Sequence, residues 1–67
     1  MKPHQERVVV EKEELDVKLN ALDKFLQGDL FKSLSDCEQS RLRWQRMLMK
    51  SYSEVLHDRI NYFVVSG

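Results

Sequence analysis

The fold is decided by residues 8–26, which read VVVEKEELDVKLNALDKFL. Apolar residues recur here with spacings of three, four or seven, which places them on one side of a helix. This first stripe comprises Val8, Leu15, Leu19, Leu22 and Leu26. A second apolar set clusters on the far side of the same helix. It comprises Val10, Val17, Ala21 and Phe25.

Two opposed stripes on one helix indicate two packing partners, because a helix in a simple two-helix unit needs only one apolar stripe. A chain of 67 residues is also poorly able to bury a sufficient core by itself. A single cysteine, Cys37, excludes an internal disulfide. The sequence therefore predicts an obligate homo-oligomer.

The chain is predicted to be one all-α domain, residues 1–67, folded as a two-helix antiparallel hairpin. The first helix spans about residues 4–27, a turn spans 28–35, and the second helix spans about 36–64. Gly28 suits a left-handed C′ position, and Ser35 begins an S-x-x-E capping box. In the turn, three apolar residues are expected to fill the closed end of the hairpin: Leu30, Phe31 and Leu34.

The second helix carries a wide apolar face, again broader than one partner requires. Its members are Leu42, Trp44, Leu48, Met49, Tyr52, Val55, Leu56, Ile60 and Phe63. The aromatic residues of this helix sit at helical spacing, and we interpret them as core residues rather than a base-stacking platform. They are Trp44, Tyr52, Tyr62 and Phe63.

Composition excludes several classes of function. Eleven basic and eleven acidic residues give zero net charge, so no DNA-binding stripe is expected. No apolar run is long enough to span a membrane, and we expect no membrane partner. His4 and His57 lie on different helices without a zinc-ligand spacing, so neither a metal nor a cofactor is expected. No nucleophile–base arrangement appears, and the chain is predicted not to be an enzyme.

Two basic residues stand out by position. Arg59 falls within the apolar face of the second helix. Either its stem packs while its guanidinium snorkels or pairs with Glu or Asp, or it forms an anion site. Lys18 borders the second stripe of the first helix. It is either a solvated lysine paired with Glu14 or a ligand contact.

The sequence resembles a known family over nearly its whole length. Residues 5–19 follow the pattern QxRVVxEKxELDxKL, and residues 31–60 follow FxxLxxxEQxRLxxQxxxMxxYSxVLxxRI. These patterns resemble the phage anti-CBASS cyclic-oligonucleotide sponge family, whose hairpin domain is shared with anti-Thoeris sponges. The resemblance implies a compact homohexamer of helical hairpins.

The same resemblance implies an anti-defence protein in the cytoplasm of the infected bacterial host. Its ligands would be cyclic dinucleotides such as cGAMP, and cyclic trinucleotides, held without cleavage so that CBASS effectors stay inactive. Lys18 matches a phosphate-contacting lysine, Arg59 an arginine of the RI pair, and Asn20 a polar contact position. His4 stands where the family has a stacking aromatic, and Arg7 of the QxRV run completes the ligand-binding candidates.

A second class of function is compatible with the same residues. A coiled-coil-like adaptor would bind a helix of another protein through the surplus apolar stripe. Trp44 and the methionines would suit such a groove. The two readings differ in that only a sponge is stabilised by cyclic oligonucleotides.

Overall fold

Three helices make up the computed structural model, which describes the backbone of residues 1–66 and the side chains of residues 1–63. Helix α1 spans Pro3–Leu26, the single-turn helix α2 spans Asp29–Lys32, and α3 spans Asp36–Ser66. The predicted all-α class is confirmed for the described residues. Gly67 of the predicted domain lies outside them. None of the described helices is long and apolar enough to cross a membrane.

Helices α1 and α3 lie side by side and antiparallel. The Ser53 hydroxyl donates to Asp16 Oδ1 at 2.5 Å, and Arg46 Nε donates to Asp23 Oδ1 at 2.6 Å. Seven residues forward along α1 therefore correspond to seven residues back along α3. The result is a rod of 48 × 14 × 14 Å whose closed end carries α2 and whose open end carries Pro3.

The seam between α1 and α3 follows a heptad spacing. The more buried positions alternate three and four residues apart on each helix, a pattern typical of coiled coils. On α1 the positions with this spacing are Gln5, Val8, Lys12, Leu15, Leu19, Leu22 and Leu26, and Val9, Asp16, Asp23 and Phe25 are also half-buried. On α3 they are Gln39, Leu42, Arg46, Met49, Ser53, Leu56, Ile60 and Phe63. The first stripe predicted for α1 is thus the face that contacts α3.

Polar residues occupy part of this seam and fix its register. Lys12 Nζ contacts Asp16 Oδ2 at 2.6 Å, while the other oxygen of the same carboxylate accepts from buried Ser53. The hydrogen bond from Lys12, and then the bond from Ser53, lower the pKa of Asp16 below its ordinary value of 3.8. The charged carboxylate is therefore favoured in the folded chain.

The turn between the long helices is held by one side chain of α3. Gln39 Nε2 lies 3.2 Å from the carbonyl oxygen of Phe31, 3.3 Å from that of Lys32 and 3.0 Å from that of Leu34. The Phe31 carbonyl also accepts the backbone N–H of Leu34, so Gln39 matters most for the carbonyls of Lys32 and Leu34, which lie beyond the regular hydrogen bonds of α2. Phe31 is buried at an edge-on contact with Phe25 and lies beneath the Arg43 guanidinium.

Three local predictions for the turn are corrected. Leu30 does not fill the closed end, since it is 66% exposed and Phe31 takes that role. Gly28 is not left-handed, because its φ of −89° is an extended conformation at the start of α2. The capping box is one-sided: Ser35 Oγ accepts the Glu38 N–H at 3.3 Å, but the Glu38 carboxylate pairs with Arg41.

Replacing Gln39 with alanine should destabilise the fold, because the carbonyls of Lys32 and Leu34 lose their side-chain donor. We expect a loss of about 1 kcal/mol or more, which lowers Tm by roughly 4–8 °C in a chain of this size. Thermal unfolding followed by circular dichroism measures this. Gln45→Ala is the control, because Gln45 is exposed on the same helix. Equal effects of the two changes would contradict the role given to Gln39.

The contribution of Asp16 to the stability of the fold should depend on pH. Its folded pKa is lowered, so the contribution is complete above the unfolded value of 3.8 and is lost as pH falls through the lower folded value. Asp16→Asn should therefore lower Tm near neutrality, and the gap to the parent chain should narrow below about pH 4. Exposed Glu13, changed to Gln, is the control. A gap that stays constant down to about pH 2 would refute this coupling.

Candidate ligand-binding surface

The second apolar stripe of α1 is on the surface of the chain. Val10 is 49% exposed, Val17 is 69% exposed, and Ala21 is also exposed. Phe25 is only half-buried, because its ring contacts Phe31 near the turn. We call Val10, Val17 and Ala21 the α1 outer stripe. It lies on the side of α1 that faces away from α3.

The wide apolar face predicted for α3 divides into two lines. One line is the heptad seam against α1. The other turns roughly 120° away from it at 100° per residue and faces solvent. We call this second line the α3 outer stripe, and it consists of Trp44, Leu48, Tyr52, Val55, Arg59 and Tyr62.

The interpretation of the aromatic residues as core is therefore wrong for three of the four. Trp44 is 61% exposed, Tyr52 is 45% exposed and Tyr62 is 67% exposed, whereas Phe63 is half-buried. The sequence does contain an indication that these residues are exposed, namely the spacing of Trp44, Leu48 and Tyr52. These three recur every four residues, whereas a heptad seam alternates spacings of three and four. Successive members therefore rotate around the helix away from the seam.

Arg59 has no counterion among the residues that the structure describes. Its side chain is exposed. The residues one turn away are apolar or aromatic, namely Val55, Leu56, Tyr62 and Phe63. Pairing of Arg59 with an acidic residue is thus absent from the described structure, whereas its exposure agrees with a snorkelling guanidinium. The guanidinium is left available to an anion or to an aromatic face.

Lys18 is a second exposed cation that the fold does not use in an ion pair with Glu14. The ion pair expected with Glu14 does not form, and within the described residues Lys18 has no ionic partner. Its side chain is exposed beside the α1 outer stripe. By contrast, Lys12 and Arg46 are both engaged at the seam. The lysine singled out by sequence is thus one of the cations that the fold leaves available.

The five candidate residues do not form one pocket within a single chain. The antiparallel register places His4, Arg7 and Arg59 towards the open end of the rod. Arg59 is level with residue 10 of α1, so Lys18 lies about 12 Å further along the rod axis. Asn20 is further still and lies on the opposite flank of the α1 outer stripe from Lys18. All five side chains are exposed.

A shallow groove near the open end includes one of these candidates. It is lined by Pro3, Glu6, Arg7, Val10, Glu11 and Glu14. All six belong to α1, so the groove is a depression on one helix surface rather than a cleft between elements. Three carboxylates share it with the single guanidinium of Arg7. That balance of charge disfavours a phosphate in the isolated chain.

Metal-ligating groups do not gather anywhere in the described part of the chain. No three His, Cys, Asp or Glu side chains there are placed so that they could hold a metal ion. Cys37 is an exposed free thiol at the beginning of α3. His57 lies beside Asn61, with 3.2 Å between its Nε2 and the amide nitrogen. Neither residue is part of the candidate surface.

A family model described as Sequestin matches residues 2–62, which include all five candidate residues. The chain belongs to the Sequestin family. It is also 44% identical over 63 residues to an uncharacterized 7.5 kDa protein in the denB-rIIB intergenic region of Enterobacteria phage T4. The alignment covers 94% of this chain and 98% of that protein. No solved structure matches the chain.

These relationships support a phage protein of the sequestin type. The family match spans α1, the turn and α3 as far as Tyr62. It therefore includes both outer stripes and all of the heptad seam except Phe63. The exposed cations Lys18 and Arg59 lie inside the matched range as well.

Proposed function

We propose that this Sequestin-family chain binds cyclic oligonucleotide second messengers and sequesters them without cleaving them. Its ligands are cyclic dinucleotides such as cGAMP, and cyclic trinucleotides. It acts in the cytoplasm of the infected bacterial host, where lowering the free messenger keeps CBASS effectors inactive. The family match over residues 2–62 is the observation that carries the proposal.

The uncommitted cations support this choice of ligand. A cyclic dinucleotide carries two phosphate charges, and Lys18 and Arg59 are exposed and without acidic partners among the described residues. Charge-assisted hydrogen bonds from ammonium and guanidinium groups to phosphate are among the strongest in proteins. Asn20 adds an amide next to the Lys18–Leu19 pair. His4 and Arg7 offer a planar ring and a further cation at the open end.

Self-association completes the proposed site. The five candidates are spread along one rod, so two copies are needed to place cations on both sides of one ligand. A two-fold pocket matches a cyclic dinucleotide, which itself repeats a base and a phosphate twice. The exposed outer stripes of α1 and α3 supply apolar surface for such contacts. A homohexamer buries the outer stripes of both α1 and α3 against neighbouring copies of the chain.

Sequestration requires affinity and stoichiometry rather than chemistry. An 8.0 kDa chain is small, so many copies can be made to titrate a messenger present at low concentration. Free messenger then stays below the level that activates an effector. Release of intact ligand after denaturation distinguishes this mode of action from enzymatic removal.

Lys18→Ala should weaken binding of a cyclic dinucleotide by about 10- to 150-fold, since one charge-assisted hydrogen bond to phosphate contributes roughly 1.5–3 kcal/mol. Calorimetric titration with cGAMP measures this, with Lys32→Ala as the control. Lys32 is an exposed lysine in α2, at the closed end of the rod. Sizing of each variant establishes that the oligomer is retained.

The same titration decides between the proposal and its alternatives. The parent chain should gain Tm with cyclic oligonucleotides, and the ligand should be recovered unchanged after heating. Linear products formed in proportion to protein would require an enzyme. No response to any cyclic di- or trinucleotide would instead favour the adaptor that binds a helix of another protein.

Val17→Asp should dissociate the oligomer, because it places a charge in the middle of the α1 outer stripe. Val17 is 69% exposed in the single chain, so the substitution leaves the seam with α3 intact. Light scattering should report a shift from the oligomer to smaller species, while the circular dichroism spectrum stays helical. Gln27→Glu adds the same charge at an exposed site off the stripe and should have no such effect. A parent chain that is already an 8.0 kDa monomer at micromolar concentration would exclude oligomerisation.

A further inference from the structure

Although the net charge is zero, basic and acidic residues are unevenly distributed along the rod. The register divides the described residues into a closed-end half, residues 18–50, and an open-end half, residues 1–17 and 51–66. The closed-end half has seven basic and four acidic residues. The open-end half has four basic and seven acidic residues. One half is therefore positive by three charges, and the other is negative by the same amount.

The central part of the α3 outer stripe is symmetric about its own midpoint. Leu48 and Val55 lie equally far on either side of the point between Ser51 and Tyr52. Trp44 and Arg59 also lie equally far from that point. A two-fold contact pairs each residue with the one at the mirrored distance, because isologous interfaces use the same patch on both copies.

We propose that the α3 outer stripe is a contact between two copies of this chain that run antiparallel. Leu48 then packs on Val55 of the partner subunit, and Arg59 lies over the indole of Trp44 of the partner subunit. This contact rests on the self-association in the proposed function but on no property of the ligand. It gives a reason for an arginine in an apolar stripe, since its partner is an aromatic face.

Charge selects the antiparallel orientation over the parallel one. A parallel pair would place Arg59 beside Arg59 of the partner subunit and would bring halves of the same sign together. An antiparallel pair sets the positive closed-end half against the negative open-end half. Unlike charges then face each other along a rod of 48 Å. The attraction is between exposed groups, so it should weaken as added salt shortens the Debye length.

The contact also assembles a composite site. A guanidinium that stacks through its face keeps its N–H groups at the edge, where they are free to donate to an anion. Arg59 and Trp44 of the partner subunit together offer a cation and an exposed aromatic plane. Each two-fold pair of chains contains this arrangement twice. The partner copy thereby contributes the indole of Trp44, which lies 15 residues from Arg59 within a single chain.

Disulfide trapping tests the orientation. In a Cys37→Ser background, Leu48→Cys and Val55→Cys chains are prepared separately, mixed, unfolded and refolded together, and oxidised. Both positions are more than half exposed in the single chain, so the fold should survive. We expect the 48–55 disulfide to dominate in mass spectra. A Lys50→Cys chain, altered away from the stripe, should cross-link poorly with either.

Two different results would contradict the proposed antiparallel contact. Dominant 48–48 and 55–55 disulfides would show a parallel contact. An intact oligomer with no cross-link at these positions would show that the α3 outer stripe is not the contact. Cyclic oligonucleotide binding, measured on the unmodified chain, bears on the proposed function alone. Either claim can therefore fail while the other stands.

A double-mutant cycle tests the pairing of Arg59 with the aromatic ring. Trp44→Ala, Arg59→Ala and the double variant are compared with the parent chain by sedimentation equilibrium. We expect a coupling between the two changes of about 2- to 30-fold in the dissociation constant. Additive effects would overturn the pairing. Trp44 is the single tryptophan, so a blue shift of its emission on association provides an independent readout.

Discussion

The antiparallel register of α1 against α3 is the constraint on which the other features depend. A heptad seam of leucines tolerates slippage, because apolar side chains repeat every seven residues and pack against many partners. The hydrogen bonds of the Asp16 carboxylate, by contrast, form in one register only. One of its oxygens is bound by Lys12 and the other by buried Ser53, so a shifted register would leave a buried hydroxyl without its acceptor. Gln39 holds the turn in the matching position.

Once the register is fixed, each long helix has more apolar surface than the seam uses. Val8 and Leu56 are buried between the helices, whereas Val17, Trp44 and Val55 stay more than half exposed. A two-helix rod has no further element with which to cover these side chains. Burying an exposed apolar side chain contributes about 1.5–3 kcal/mol, so contacts with other chains are the available source of that stability. The small size of the chain and its surplus apolar surface have the same consequence.

The distribution of ion pairs separates structural cations from cations available to a ligand. Lys12 and Arg46 are used at the seam, where each contacts an aspartate at 2.6 Å. Lys18 and Arg59 point away from the seam and find no carboxylate among the described residues. The fold thereby leaves phosphate-binding groups exposed on a chain with zero net charge. Overall charge is a poor guide here, because an excess of basic residues in one half of the rod is balanced by an equal excess of acidic residues in the other.

The sequence by itself determined the helical class, the break near Gly28 and the seam face of α1. These depend on local propensity and on a period that a few leucines are enough to define. It also singled out Arg59, which interrupts an apolar pattern. Only the tertiary structure decided that Trp44 lies on the surface, because the wide apolar face of α3 contains two lines and periodicity alone does not say which line meets α1. The partner of Asp16 was equally beyond local reasoning, since Ser53 lies 37 residues away and is brought near by the antiparallel register.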